Sequence, residues 1–457
     1  MNVSLQEIVA NQTKQFRSGI TREIGYRQQM LSALEEGICL HENELYEAFA
    51  ADLGKTKAET YMTEISMVLG ELRYIKTHLR SWMRPKRVPG TVGTFPARSR
   101  IYREPYGVVL VLAPWNYPLL LALSPVVGAL AAGNCVVLKC SKSSSHCAAV
   151  IQKIVNDVLP ADTCYCVDAN ISYDEVLDQE YQYIFFTGSP RVGKQIMETA
   201  AKRLIPVSLE LGGKSPCFVT DKADIRLAAR RIVWGKLLNA GQTCISIDYV
   251  LVDRHVKSEL IAAIVAEIKR RYGDAWKNSN YPRIINDHHY ERLMNLISEE
   301  KKLGEVIGGD GDASTRRIAP ALIVGADWSH PVMEEEIFGP ILPLISYHNL
   351  DDAVEEVLNR PHPLATYIFT DDKKEAKDLL RRMPFGGGCV NDTIVHISNH
   401  HMPFGGVGNS GMGGYHGYYS FRTFSHEKSV LWGSHVDVPV RYAPLDEKKW
   451  SFLKKFL

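Results

Sequence analysis

Residues 105–138 contain no charged side chain, and no other feature of the chain narrows its fold as much. A run of this length is enough to cross a bilayer as one helix. Three prolines (Pro114, Pro118 and Pro125) and two asparagines (Asn116 and Asn134) interrupt it. Proline lacks a backbone donor and breaks helices, so the stretch reads as strand, loop, helix and strand inside a buried α/β layer. A spanning helix is the weaker reading, because backbone groups freed at those breaks would find no partner in hydrocarbon.

The pattern on either side supports the buried layer. Short apolar runs at 108–112, 136–139, 164–167, 183–186 and 207–211 alternate with amphipathic stretches, as in a doubly wound parallel sheet. The alternation resumes after Gly212 and Gly213, with strand candidates at 249–252, 321–324 and 365–369, so a second α/β domain is expected. Residues 1–83 show helical periodicity with mixed charges. Pro85, Pro89, Gly90, Gly93 and Pro96 then mark an extended arm or linker. Beyond residue 437 the chain is charged and proline-containing, and its amphipathic end at 450–457 is too short to span a membrane.

Composition narrows the class of partner. The 457 residues, 45% hydrophobic and 23% charged, are enough for two or three cores. With 53 basic against 52 acidic residues the net charge is +1, so no global field draws the chain to nucleic acid or an acidic membrane. Small molecules or further copies of the chain are the expected partners. The first residues lack the basic start and apolar core of a secretory signal, which makes the cytoplasm the expected compartment. Nine cysteines without regular spacing fit reduced thiols better than a disulfide framework.

Ligands of parallel sheets gather at the carboxyl ends of strands. At one such end, Thr187, Gly188 and Ser189 lead into Pro190, Arg191, Val192 and Gly193, where free N–H groups of a helix start can receive a pyrophosphate. The usual G-x-G-x-x-G is missing, and a turn of this kind is more often structural when taken alone. Glu210 and Leu211 end another strand before Gly212 and Gly213. Glu210 is either a solvent-facing strand end or a base poised by burial. Cys244 follows Gly241, Gln242 and Thr243 on a polar turn, and most lone cysteines are inert core residues. Cys164 and Cys166 share a strand face but have no second ligand pair nearby. His396, His400, His401 and His416 form no recognisable metal pattern, so packing is the better reading for them.

Taken together, the motifs Ala113-Pro114-Trp115-Asn116-Tyr117-Pro118, Phe186-Thr187-Gly188-Ser189, Glu210-Leu211-Gly212-Gly213-Lys214, Gly241-Gln242-Thr243-Cys244 and Glu336-Ile337-Phe338-Gly339-Pro340 follow one another in the order seen in aldehyde dehydrogenases. The chain resembles that superfamily over roughly residues 5 to 445. The run from Arg283 to Asp287 and the glycine-rich run from Pro403 to Gly413 are similar to its class 3, fatty and aromatic aldehyde branch.

The resemblance implies an aldehyde dehydrogenase-like α/β fold. A Rossmann-type cofactor domain would span 1–83 and 104–211, a second α/β catalytic domain 212–412, a small β oligomerisation arm 84–103 and 413–436, and a tail 437–457. It implies oxidation of aldehydes to acids with NADP or NAD, with Cys244 as nucleophile, Asn116 as oxyanion donor and Glu210 as base for the hydrolytic water. Trp115, Lys139, Thr187, Leu211, Glu336, Phe338 and the 188–193 turn would hold the cofactor.

Lys142 stands where the family usually has a glutamate that meets the ribose hydroxyls, and a lysine there would attract a 2′-phosphate. NADP acceptance is therefore expected, against a Lys142 that stays in solvent. Relatives imply a homodimer, with segments near 91–102 and 421–432 as pairing strands. Aromatic content near Tyr61, Tyr117 and Trp234 points to medium or long aliphatic or aromatic aldehydes. The competing readings are an acyl reductase running toward aldehyde and a catalytically silent protein of the same fold.

Overall fold

A computed structural model describes residues 4–277 and 280–456, so the first three residues of the expected cofactor domain and Leu457 of the tail lie outside it. The uncharged stretch divides as expected into strand Val108–Leu112, helix Pro118–Ala132 and strand Cys135–Lys139. Both strands are buried at every position, so each sheet face is covered and the strands read as continuous apolar runs without alternation. Pro118 opens the helix, where its missing N–H costs nothing, and Gly133 closes it at φ 95°. Every residue of this helix is buried, because helices Ile24–Leu40 and Ser66–Trp82 pack over it. Among the described residues no helix is long and apolar enough to cross a membrane.

These two strands lie in a six-stranded sheet ordered Gly411–Met412, Val207–Leu211, Tyr183–Gly188, Val108–Leu112, Cys135–Lys139 and Cys164–Cys166. All neighbours run parallel except the first pair, where Gly411 faces Glu210. A seven-stranded sheet is ordered Glu305–Gly308, Ala321–Val324, Ile341–Tyr347, Tyr249–Asp253, Pro216–Val219, Ala365–Phe369 and Gly387–Val390. Only Glu305–Gly308 is antiparallel there. Ile341–Tyr347 was not among the expected strands. It contains Pro343, which argues against a central strand because it cannot donate to the ladder.

Lys86–Val88, Arg98–Pro105 and Ser425–Trp432 form a third, antiparallel sheet. The two segments expected to pair across an interface therefore pair with each other within the chain, and Val92–Thr94 is a short helical turn instead of strand. The chain closes with the exposed helix Glu447–Phe456.

Candidate active site

Cys244 is presented by a strained turn. Helix Ile225–Leu237 ends in a 3-10 turn, Leu238–Gly241, in which Asn239, Ala240 and Gly241 all take left-handed φ of 52°, 51° and 76°. Two such non-glycine residues cost about 1–3 kcal/mol each, so neighbours must hold the turn in place. Glu59 Oε1 accepts the N–H of Asn239 at 2.8 Å. The Gln242 side chain accepts from Ile285 N at 3.0 Å and donates to Arg283 O at 3.0 Å. A Cβ on Gly241 would lie 2.3 Å from Gly339 O, so glycine also lets this turn close on the loop that carries Phe338.

The turn is tied to the loop after strand Val108–Leu112. Asn116 Nδ2 donates to Gln242 O at 3.1 Å, and Asn239 Nδ2 donates to Asn116 O at 2.9 Å. Next to it, the Tyr117 hydroxyl meets Thr243 Oγ1 at 2.7 Å. The first contact fixes which end of the Asn116 amide is the donor. One of its two N–H bonds is committed to Gln242, and the other is free for a charge developing beside Cys244.

Glu210 lies on strand Val207–Leu211, 2% exposed, with neither carboxylate oxygen hydrogen-bonded. Burial holds its carboxyl well above the ordinary carboxylate range. Burial, with the nearby Glu336 and Glu210 carboxylates, also pushes the Cys244 thiol up to about 12. Glu210, Cys244, Thr187 and Leu211 line one cavity of about 270 Å³. The rest of its wall is mostly apolar and includes Met62, Leu120, Trp234, Leu238, Ile394 and Phe404.

The other expected residues lie around this centre. Lys139 ends its strand with Nζ on Ala169 O at 3.0 Å and 5.0 Å from the Tyr173 ring, its pKa lowered by burial. Ser189 caps the 12-residue helix Pro190–Ala201 by accepting from Val192 N, with Arg191 exposed beside it. Trp115 and Phe338 meet edge to face at 5.4 Å. Glu336 reaches across to the strand of Glu210, and a Cβ on Gly212 would lie 2.0 Å from Glu336 Oε2. Burial and the Asp248 charge push Glu336 up to about 8. A buried lysine, a capped helix start, a carboxylate and two aromatic rings are chemistry that fits the phosphates, hydroxyls and ring of a nicotinamide dinucleotide. Lys142, three residues past Lys139, is exposed at the start of the short turn Lys142–Ser144, which ends on the buried Ser144.

Of the aromatic residues expected near the substrate, Tyr117 and Trp234 line the cavity and Tyr61 does not. Tyr61–Ile65 is a π-helical turn. In this wider turn Met62 and Thr63 line the cavity while Tyr61 stays 46% exposed. Sequence reasoning also missed Leu238, Ile394 and Tyr415, which come from separate segments and share no pattern. Of the clustered histidines, His400 meets Glu71 at 2.8 Å, His401 meets Tyr74 at 3.0 Å, and His416 stacks on Phe404.

A family model described as the aldehyde dehydrogenase family matches residues 3–430. The chain belongs to the aldehyde dehydrogenase family. It is 44% identical to human aldehyde dehydrogenase family 3 member B1 over 91% of this chain and 89% of that protein. It is 42% identical to the dog dimeric NADP-preferring aldehyde dehydrogenase over 93% of this chain and 94% of that one. A substrate-bound structure of Staphylococcus aureus AldH superposes with a TM-score of 0.96 at 38% identity, covering 100% of both chains. These likenesses place it in the class 3 branch, with the aldehyde dehydrogenase fold of a Rossmann-type unit and a second α/β unit. This aldehyde dehydrogenase oxidises aldehydes to carboxylic acids with NADP or NAD.

Proposed function

We propose that Cys244, Asn116 and Glu210 divide the oxidation of an apolar aldehyde between them. The observation behind this reading is that the thiol and the unpartnered carboxyl share one cavity while the Asn116 amide is tied to the turn presenting the thiol. Cys244 Sγ adds to the aldehyde carbon as its proton passes to solvent water, and the carbonyl π pair moves onto the oxygen. The charge that forms on the oxygen is met by the free Asn116 N–H and the backbone N–H of Cys244. A bound nicotinamide would supply the hydride acceptor for the thiohemiacetal carbon, and loss of that hydride leaves a thioester on Cys244. Glu210 takes a proton from water as that water attacks the thioester. The acid departs, and the sulfur is free again.

Trp115, Lys139, Thr187, Leu211, Glu336, Phe338 and the turn of Gly188, Ser189, Pro190, Arg191, Val192 and Gly193 are assigned to the cofactor, with Lys142 as attractor of a 2′-phosphate. The cavity wall favours medium or long aliphatic, or aromatic, aldehydes. In this reading 1–83 with 104–211 binds cofactor, 212–412 carries the nucleophile, 84–103 with 413–436 forms the oligomerisation arm, and 437–457 is a tail. A cytoplasmic homodimer follows. It is supported by Leu431 and Trp432, both more than half exposed on the arm, and by the word dimeric in the name of the dog relative.

The test is reduced-cofactor formation at 340 nm with a chain-length series of aldehydes. Turnover should rise with apolar length and vanish in Cys244→Ala. Equal rates with short hydrophilic aldehydes would refute the substrate class, and an active Cys244→Ala would refute the nucleophile.

A further inference from the structure

Lys55 is a buried ammonium with no part in the steps above, 2% exposed on the link between helices Glu42–Leu53 and Lys57–Thr60. Its Nζ lies 2.8 Å from Glu64 Oε1, 4.0 Å from the centroid of the Tyr117 ring and 3.5 Å from Asn116 O. The other oxygen of Glu64 accepts the N–H of Leu120 at 2.9 Å, in the first turn of helix Pro118–Ala132. A fourth contact, at 5.4 Å, is the Phe49 ring; two of the four therefore fall directly on the loop that carries Asn116, and Glu64 extends the reach to the helix that follows. The same Asn116 carbonyl accepts from Asn239 Nδ2, and Glu59 holds the Asn239 backbone.

A buried ion pair of this kind is poorly explained by stability. Apolar side chains of the same volume commonly hold such positions at no loss, because desolvation offsets the attraction between the charges. What an apolar pair cannot do is grip a backbone carbonyl and a ring face together and leave a positive field on one side of the loop. Here that loop carries the Asn116 amide, which donates to Gln242 O in the turn of Cys244.

We propose that Lys55 is a positioning residue for oxyanion stabilisation: paired with Glu64, it sets the Asn116–Tyr117 loop against the Cys244 turn and biases the site toward negative charge on the substrate oxygen. The inference rests on the assignment of Asn116 as the oxyanion donor. Displacements of about 1 Å at such a donor can slow a reaction a hundredfold, and the transition state feels this far more than the cofactor site does.

The test uses Lys55→Met combined with Glu64→Gln, so that no buried charge is left alone, with folding checked by circular dichroism and melting. Single-turnover hydride transfer should slow by about tenfold or more, and inhibition by a trifluoromethyl ketone, which forms an oxyanion on Cys244, should weaken in parallel. Alkylation of Cys244 by iodoacetamide and the KM for cofactor should stay unchanged. If that variant does not fold, Lys55→Gln with Glu64→Gln keeps a hydrogen-bonded pair and carries the same expectations. Wild-type hydride transfer in a folded double variant would overturn the proposal, and so would an equal loss in alkylation, which would mean a general disturbance of the turn. Asn116→Ala, run alongside, separates the two levels. If it transfers hydride normally, the oxyanion assignment itself fails; if it is slow while the Lys55 variants are normal, only the role of Lys55 fails.

Discussion

Replacing Glu210 with glutamine removes a proton acceptor while leaving the shape of the site almost intact. Both carboxylate oxygens are buried without a hydrogen-bond partner among the described residues, so the amide displaces no existing contact there, and no other carboxylate among them lines the cavity to take over. A positioned general base contributes about 10²–10⁴ in rate, or about 2.7–5.5 kcal/mol of barrier, and with no substitute the loss should lie toward the upper end. That loss should fall on thioester hydrolysis alone. In stopped flow at 340 nm, Glu210→Gln should give a rapid burst approaching one reduced cofactor per chain, then a steady state slowed by that factor, with the acyl group found on Cys244 by mass spectrometry. The stability change should have the opposite sign. A carboxyl whose folded pKa is raised is stabilising below its unfolded value, and that contribution is lost as pH rises. At pH 8 the glutamine variant should therefore melt higher than the parent. A steady-state loss with no burst would refute the assignment, because it would place Glu210 before hydride transfer, as the base for a thiol held near 12.

Three further outcomes are expected. Lys142→Glu should lower the ratio of kcat/KM for NADP over NAD by about 10- to 100-fold, less at high salt because the site is exposed; an unchanged ratio would leave Lys142 in solvent. Alkylation of Cys244 in the cofactor-free protein should climb about tenfold per pH unit from 7 to 10 with no plateau, since the thiol is held near 12; a plateau near pH 8 would contradict that. His289, His396 and His416 are each lowered to about 4 by burial, so each contributes stability that is complete above about pH 6.5 and lost as pH falls toward 4. Melting temperature should drop across that window, and His416→Phe should blunt the fall.

Much of the fold could be read where period and punctuation agree. Val207–Leu211, Ala321–Val324 and Ala365–Phe369 lie where the apolar runs put them, because a parallel strand buried on both faces advertises itself as a continuous run. Ile341–Tyr347 was hidden by Pro343, and Gly387–Val390 by two glycines that weaken any strand signal. The reactive residues stood out only through ordered motifs. What the sequence hid was long-range. The cavity wall draws on Met62, Leu238, Ile394 and Phe404, which no local period relates. Nothing local marks Lys55, because its partners, Glu64 and Asn116, come to it from separate elements.

The two-residue strand Gly411–Met412 has a consequence for how the protein is made. It covers the edge of the strand that bears Glu210, and it lies far downstream of that strand in the sequence. Until a ribosome has translated past residue 412, the strand Val207–Leu211 shows an unpaired edge, and such edges invite pairing with other chains. Chains that stop early, or are released with that segment unplaced, carry every proposed reactive residue but leave the flank of the base open. The base gains its covered flank only once residues 411 and 412 have been made and placed.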